Sequence, residues 1–258
     1  MPHCVLVPKP EGPTQNCGNR FSVAAHVKMD HEMALFRTAR QLRRMKEDWD
    51  RRARENARYY VDTARENWSD EEFFQSGEAT AAEEIDTDVI NICQGKDPAS
   101  MRVLEIGCGA GRVTRALAKR FGEVHGVDVS GEMIKLAKQA LRERPNAFVY
   151  QNNGKDLSVV PAGDFDFAFS CIVFQHIPSR EIILSYVREV HRLLRPGALF
   201  KFQVQGGELL KPTSKDDTWL GATYTVEQAA EMADLSGFEF RHHHGAGDQY
   251  FWLWFFKR

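Results

Sequence analysis

A chain of 258 residues with 43% apolar and 27% charged side chains has the make-up of a soluble globular protein, large enough to bury a core without disulfide or metal staples. Its 34 Lys and Arg against 36 Asp and Glu leave a net charge of −2, which argues against a nucleic-acid partner, since that would call for a basic surface. The longest apolar run, Tyr250 to Phe256, is far below the roughly 20 residues that span a bilayer, and five scattered cysteines without a C-x-x-C pair argue against a disulfide framework or a zinc site.

Residues 1–28 carry four of the ten prolines within thirteen positions, show no apolar periodicity and read as a loose arm. The opening Met1-Pro2-His3, with only Cys4 to Val7 before Pro8, lacks the pattern of a secretory leader, so a cytoplasmic location is expected. From 31 to 63 the spacing of Leu35, Leu42, Met45, Trp49, Ala53 and Ala57 predicts a helix. The stretch 37–58 holds nine Arg and Lys with four acids interleaved, the signature of a solvated helix face. Ser69-Asp-Glu-Glu72 is a capping box opening a second helix, which Gly77 is expected to interrupt before Ala81–Ile92 resumes it. Residues 29–98 therefore read as an N-terminal helical cap.

From 99 to 258 the rhythm becomes strand and helix in alternation, which predicts a parallel sheet covered on both faces. Strands are expected at Arg102–Ile106, Glu123–Val129, Ala147–Gln151, Phe165–Ser170 and Leu199–Val204, with helices over 111–121, 131–143 and 179–195. Thr225-Val-Glu-Gln228 caps a further helix that Gly237 stops, and two strands come after it at about 238–243 and 249–257. The last, Tyr-Phe-Trp-Leu-Trp-Phe-Phe, is apolar at consecutive positions, as suits a strand inside a sheet; the alternative for those rings is an aromatic substrate pocket.

The informative segment is Val103-Leu-Glu-Ile-Gly-Cys-Gly-Ala-Gly-Arg112, an apolar strand running into Gly107, Gly109 and Gly111 and then a helix. Small residues there let a ligand approach backbone N–H groups at the helix start. A dinucleotide fingerprint requires G-x-G-x-x-G, and its sixth position here is Arg112, so the pattern disfavours a nicotinamide oxidoreductase. Asp128 closes the second strand, where a carboxylate can take both hydroxyls of a ribose; its other reading is a cap for the helix after Ser130.

These pieces, with Asn152-Asn-Gly-Lys-Asp-Leu157, Phe165-Asp-Phe-Ala-Phe-Ser170 and Leu193-Leu-Arg-Pro-Gly197, resemble the class I S-adenosylmethionine-dependent methyltransferases over residues 101–257. The resemblance implies a Rossmann-like α/β fold: a seven-stranded sheet in the order 3-2-1-4-5-7-6, the last strand antiparallel, with the N-terminal helical cap beside it. It also implies S-adenosylmethionine as cofactor, S-adenosylhomocysteine as product and a small-molecule acceptor. Glu105 would be among the cofactor-binding residues, Gly107, Cys108 and Gly109 would border the methionine moiety, Asp128 would hold the ribose, and Val129 and Met133 would flank adenine. Asn153, next to Gly154, or else Asp156, would meet the adenine amine. Cys171 would sit near the methionine end through its backbone.

Methyl transfer chiefly requires alignment and the removal of one proton, and His176 in Phe174-Gln-His-Ile-Pro178 is the residue best placed to accept it. Its alternative role is structural, bonding the backbone of a neighbouring loop. Tyr60 in the cap and Gln175 are the candidate acceptor contacts, with segment 205–224 as a further wall. The Asn/Asp-Pro-Pro-aromatic loop of many amino-group methyltransferases is absent: this loop reads Cys171-Ile-Val-Phe-Gln-His176. His242, His243 and His244 alternate faces on a strand and cannot converge on one ion, so no metal is expected. A non-catalytic module that binds S-adenosylmethionine remains the rival reading, and oligomeric state is left open.

Overall fold

The computed structural model describes residues 19–207 and 218–258. The chain divides into two compact units, Met1–Ala39 and Arg40–Arg258. Over its described residues the first unit is the opening stretch of helix α1 (Asn19–Val61), and the rest of that helix, the sheet and the other helices belong to the second. The helix starts within the segment read as a loose arm, because all four prolines that gave that reading precede Asn19. Part of the expected acceptor wall, 208–217, lies outside the described residues.

Seven strands form one sheet in the order β3-β2-β1-β4-β5-β7-β6. They are β1 (Arg102–Ile106), β2 (Glu123–Asp128), β3 (Ala147–Gln151), β4 (Phe165–Ser170), β5 (Leu194–Val204), β6 (Phe238–His244) and β7 (Phe251–Lys257). The first five pair in parallel, while β7 runs antiparallel between β5 and β6, so the expected topology is the observed one. Helices α2 (Asp70–Glu84), α3 (Val89–Cys93), α4 (Arg112–Leu117), α5 (Gly131–Ala140), α6 (Arg180–Leu193) and α7 (Val226–Ser236) join and flank these strands.

The aromatic C-terminal strand is packing material. Phe251, Leu253 and Phe255 join a core with α6 and α7, whereas Trp252, Trp254 and Phe256 join another with α2, α3 and α4. Lys201 lies under the two indoles, its ammonium 4.7 Å from the Trp254 ring centre, and is neutralised by Glu84 at 2.9 Å. A buried cation needs such a partner; Phe251, Trp252, Trp254, Phe255 and Phe256 line none of the cavities described below, whereas Tyr250 at the head of the run lines one.

Two expectations are corrected. Strand β5 begins at Leu194, directly after α6, and carries Pro196 and Gly197 along a register irregularity opposite Phe165 and Phe167; a bulge is where a sheet tolerates proline. Gly77 does not interrupt α2, which runs through it from its Ser69 capping box. There the helix crosses the backbone of α4 so closely that a Cβ on Gly77 would lie 2.2 Å from the Arg112 carbonyl oxygen. Gly77→Ala should therefore destabilise the fold by roughly 1–3 kcal/mol, although alanine is the better helix former by about 1 kcal/mol. Urea denaturation checks this, and a gain in stability would show that α2 and α4 can separate without cost.

Candidate functional site

The C-terminal ends of β1, β2 and β4 meet where the glycine loop leaves β1. Gly107, Gly109 and Gly111 all have positive φ (76°, 51° and 86°), which allows the loop to fold back and start α4. Side chains are excluded at the first two for a second reason. A Cβ on Gly107 would lie 2.2 Å from a Val173 methyl, and one on Gly109 would lie 2.9 Å from a methyl of Val61. The loop is anchored to β2 through Asp128, whose carboxylate accepts the N–H of Gly109 at 3.0 Å and of Ser130 at 2.8 Å. Burial nevertheless pushes the Asp128 carboxyl up to about 6, against those two hydrogen bonds.

Glu105, on β1 two residues before Gly107, is 4% exposed and accepts the Thr114 hydroxyl at 2.5 Å. Burial raises its carboxyl to about 7. The ionised form is thus penalised only in the folded chain. Its cost is absent below about pH 4.5, grows as pH rises, and is complete above about pH 7. Glu105→Gln keeps an acceptor for Thr114 and removes that cost. The variant should gain on the order of 1–3 kcal/mol relative to wild type between pH 5 and pH 8, read as the difference in urea unfolding free energy. A constant difference across that range would mean that Glu105 titrates as it does in the unfolded chain.

The last turns of α1 roof the loop. Met45, Trp49, Tyr60 and Val61 close a narrow cleft of about 80 Å³, whose floor includes Glu105, Gly107, Cys108, Gly109, Asp128 and Asn152. The helix is broken at Asn56 (φ −163°, ψ 82°), which donates to the Glu66 carbonyl at 2.9 Å and turns Tyr60 and Val61 inward. Two polar ties hold this roof down. Asp50 accepts the Ser130 hydroxyl at 2.7 Å and the Glu132 N–H at 3.2 Å, at the start of α5. Arg112, buried at the start of α4, donates to Ser76 and Thr80 of α2 and pairs with Asp62 at 3.5 Å.

Of the residues singled out from the sequence, Tyr60, Glu105, Gly107, Cys108, Gly109, Asp128, Val129, Met133, Cys171 and His176 line this cleft. Asn153 does not. It is tied up in its own turn, donating to Asp156 and accepting the N–H groups of Lys155 and Asp156, and Gly154 packs behind Leu42 and Met45. The neighbouring Asn152 lines the cleft instead. Its Nδ2 donates to the Tyr186 hydroxyl at 2.7 Å, which fixes the amide, while its Oδ1 is buried without a hydrogen-bond partner. A buried acceptor in that condition is costly unless a donor reaches it. Burial raises the thiols of Cys108 and Cys171, the latter to about 12, so both are neutral lining groups rather than nucleophiles.

His176 is 5% exposed and held by its Nδ1, 2.6 Å from the Trp219 carbonyl oxygen, with Trp49 edge-on at 5.3 Å. That contact requires the proton on Nδ1 and leaves Nε2 as the basic nitrogen of the neutral ring. Nε2 lies 3.4 Å from the Gln175 amide nitrogen; Gln175 in turn accepts from Gln203, and Gln203 accepts the N–H of Ile172. Ile172 has φ 58°, a left-handed conformation that costs a β-branched residue strain, and it stands at the rim of the cleft. Gln175 itself lies outside the cleft, in a second chamber that shares Tyr60, Val61, Ile172 and His176 with it. Among the described residues no group of His, Cys, Asp and Glu could hold a metal ion, and no helix is long and apolar enough to cross a membrane.

Comparison with known proteins bears on the family and the fold. Residues 103–197 match the family described as a methyltransferase domain. The phosphoethanolamine N-methyltransferase 2 of Caenorhabditis elegans is 29% identical over 52% of this chain and 31% of its own length. The ubiquinone biosynthesis O-methyltransferase of Xanthomonas axonopodis is 30% identical over 39% of this chain and 41% of its own. The chain thus spans well under half the length of these two relatives. Among solved structures, magnesium protoporphyrin IX methyltransferase from Synechocystis with bound S-adenosylmethionine superposes with a TM-score of 0.58 at 14% identity, over 84% of this chain and 97% of that one. A methyltransferase from Aquifex aeolicus gives 0.53 at 18% identity, over 74% and 100%. At such identities the likeness is one of fold.

Proposed function

We propose that the protein, whose residues 103–197 match a methyltransferase domain and whose seven strands take the order of the class I S-adenosylmethionine-dependent methyltransferases, transfers the methyl group of S-adenosylmethionine to a small-molecule acceptor. The observation that carries this reading is the floor of the cleft. It offers a carboxylate at the end of β2, a glycine loop with no Cβ in the way, and a buried carbonyl oxygen on Asn152 that lacks a donor. This donor set suits an adenosyl group: Asp128 for the ribose hydroxyls, Asn152 Oδ1 for the adenine amine, Val129 and Met133 against the base, and Gly107 to Gly109 beside the methionine end. The adenine contact thus moves one residue from where the sequence reading put it.

When bound, S-adenosylmethionine supplies a methyl carbon on a sulfonium, so that an acceptor lone pair forms the new bond while the carbon–sulfur pair returns to sulfur. This chain's residues have a smaller task. They hold the acceptor in line, shed water by closing Trp49, Tyr60 and Val61 over the site, and accept the acceptor's proton at His176 Nε2. The cleft is smaller than the ligand it is assigned, so Val61 must withdraw from Gly109 as the adenosyl group enters; the break at Asn56 is where α1 can yield.

Calorimetric titration with S-adenosylmethionine, S-adenosylhomocysteine and NAD tests the reading. Both adenosyl ligands should bind, and NAD should not. Binding of NAD alone, or of nothing, would overturn it; tight adenosyl binding without turnover on any acceptor would favour the non-catalytic module.

A further inference from the structure

We propose that Gln203 is a positioning residue for the adenosyl ligand: its buried carboxamide holds Ile172 in the left-handed conformation that seats Val173 on the glycine loop and makes Ile172 a wall of the cleft. This rests on the cofactor reading above and goes beyond it by assigning a residue that lines neither the cleft nor the second chamber.

Strand β5 is apolar from Leu199 to Val204 except at Lys201 and Gln203, and Gln203 is 1% exposed. A carboxamide so deep in a sheet must find partners. It finds one where β4 ends. The β4–β5 ladder stops at the pair Ser170 and Phe202, and beyond it the N–H of Ile172 donates to a side chain, the Gln203 Oε1 at 3.1 Å. A backbone N–H can only donate, so this bond fixes the amide, and its Nε2 donates to Gln175 Oε1 at 2.8 Å. The Gln175 amide nitrogen is thereby turned toward His176 Nε2 at 3.4 Å, while His176 Nδ1 donates to the Trp219 carbonyl oxygen at 2.6 Å. Every donor in this series points the same way, from Ile172 toward Trp219. Bonds so aligned polarise one another and favour a single arrangement.

What the arrangement holds is a strained residue. Among the described residues, positive φ belongs to glycines, to Gln94, which ends α3, and to Ile172 at 58°. A glycine would take this conformation freely, whereas a β-branched side chain is strained in it and stays there only where its surroundings over-determine it. The strain has a positional use. The Ile172 side chain borders both the cleft and the second chamber, and the turn brings Val173 over Gly107, so close that a Cβ on Gly107 would lie 2.2 Å from a Val173 methyl. Relaxed to negative φ, residue 172 would swing Val173 off the loop and open the wall beside the methionine end.

Calorimetric titration of the whole chain with S-adenosylhomocysteine, beside urea denaturation, tests the assignment through four variants. Gln203→Met, close in volume but unable to hold Ile172, should weaken S-adenosylhomocysteine at least tenfold. Ile172→Gly takes the left-handed turn without an anchor, so adding Gln203→Met to it should cost threefold or less relative to Ile172→Gly alone. Ile172→Ala and Ile172→Gly both remove the wall but only Ala keeps the strain, so Gly should have the higher urea midpoint, the reverse of the usual order. This comparison leaves Gln203 intact and stands even if Gln203→Met does not fold.

Gln203→Met with unchanged affinity, or with the same loss in both backgrounds, would reduce Gln203 to a packing residue and overturn the proposal, whatever its effect on stability. A higher midpoint for Ile172→Ala than for Ile172→Gly would overturn it by removing the strain. Wild-type chain that binds no S-adenosylhomocysteine would overturn the cofactor reading and this assignment with it; wild-type binding without the coupling between positions 172 and 203 would sink the assignment alone.

Discussion

Asp128→Ala should lower the affinity for S-adenosylhomocysteine by about 10- to 100-fold while leaving the sheet folded. A hydrogen bond to a charged group contributes about 1.5–3 kcal/mol, and 1.4 kcal/mol is a factor of ten. The carboxylate does two things at once: it holds the N–H groups of Gly109 and Ser130, and it leaves acceptor capacity toward the cleft. Removing it frees the loop as well as deleting the proposed ribose contact, so the loss should fall in the upper part of that range. Asp128→Asn, which keeps one acceptor oxygen, should retain more affinity than Ala.

The same carboxyl gives the effect a pH signature. Its folded value is about 6, raised by burial from 3.8, so the ionised acceptor is lost as pH falls through about 6. Wild-type affinity should therefore drop between pH 7.5 and pH 5.5, whereas the Ala variant should be flat over that range. Calorimetry at three pH values reads both. An affinity unchanged by the substitution would take Asp128 out of ligand binding and leave it as the strap between β1 and β2.

The sheet order was legible before any coordinates because its determinants are local. Apolar runs of five or six residues, a glycine loop and capped helices each show in a short window, and the resemblance supplied the order in which they assemble. Gly77 was misread for the complementary reason: in sequence a glycine within a helix is a weak point, and only the crossing of α2 over the Arg112 backbone turns it into a requirement. Pro196 inside β5 was likewise hidden, since the bulge that tolerates it depends on the partner strand.

At the cleft the structure places Asn152 where the sequence reading put Asn153. The run Asn152-Asn153-Gly154 was recognised, but which amide faces the cleft depends on the turn that Asp156 closes and on the Tyr186 hydroxyl, 34 positions away. Nothing in the local pattern separates the two. Trp219 was not singled out by name because its part in the site is set by contacts with Tyr60 and His176, from segments far apart in the chain. A signal was present in Arg112, read from the sequence only as the residue that spoils a dinucleotide fingerprint. In the fold it is the buried cation that ties the glycine loop to the cap.

At His176 the two sequence readings, base and structural anchor, would use different atoms of one ring, so that one substitution can separate them. Nδ1 anchors the segment around Trp219; Nε2 is the candidate base. His176→Asn can place an amide N–H near the position of Nδ1 and has nothing at the position of Nε2. If the base assignment holds, this variant should keep its thermal midpoint and its S-adenosylhomocysteine affinity, while kcat on an identified acceptor falls by roughly 10²–10⁴-fold, the usual worth of a positioned general base. His176→Ala should lose the same turnover and, in addition, stability, because the Trp219 carbonyl loses its donor. A kcat within about fivefold of wild type for the Asn variant, with the Ala variant destabilised, would leave His176 as an anchor only. The proton would then leave to water, and the contribution of this chain to catalysis would be reduced to holding donor and acceptor in line.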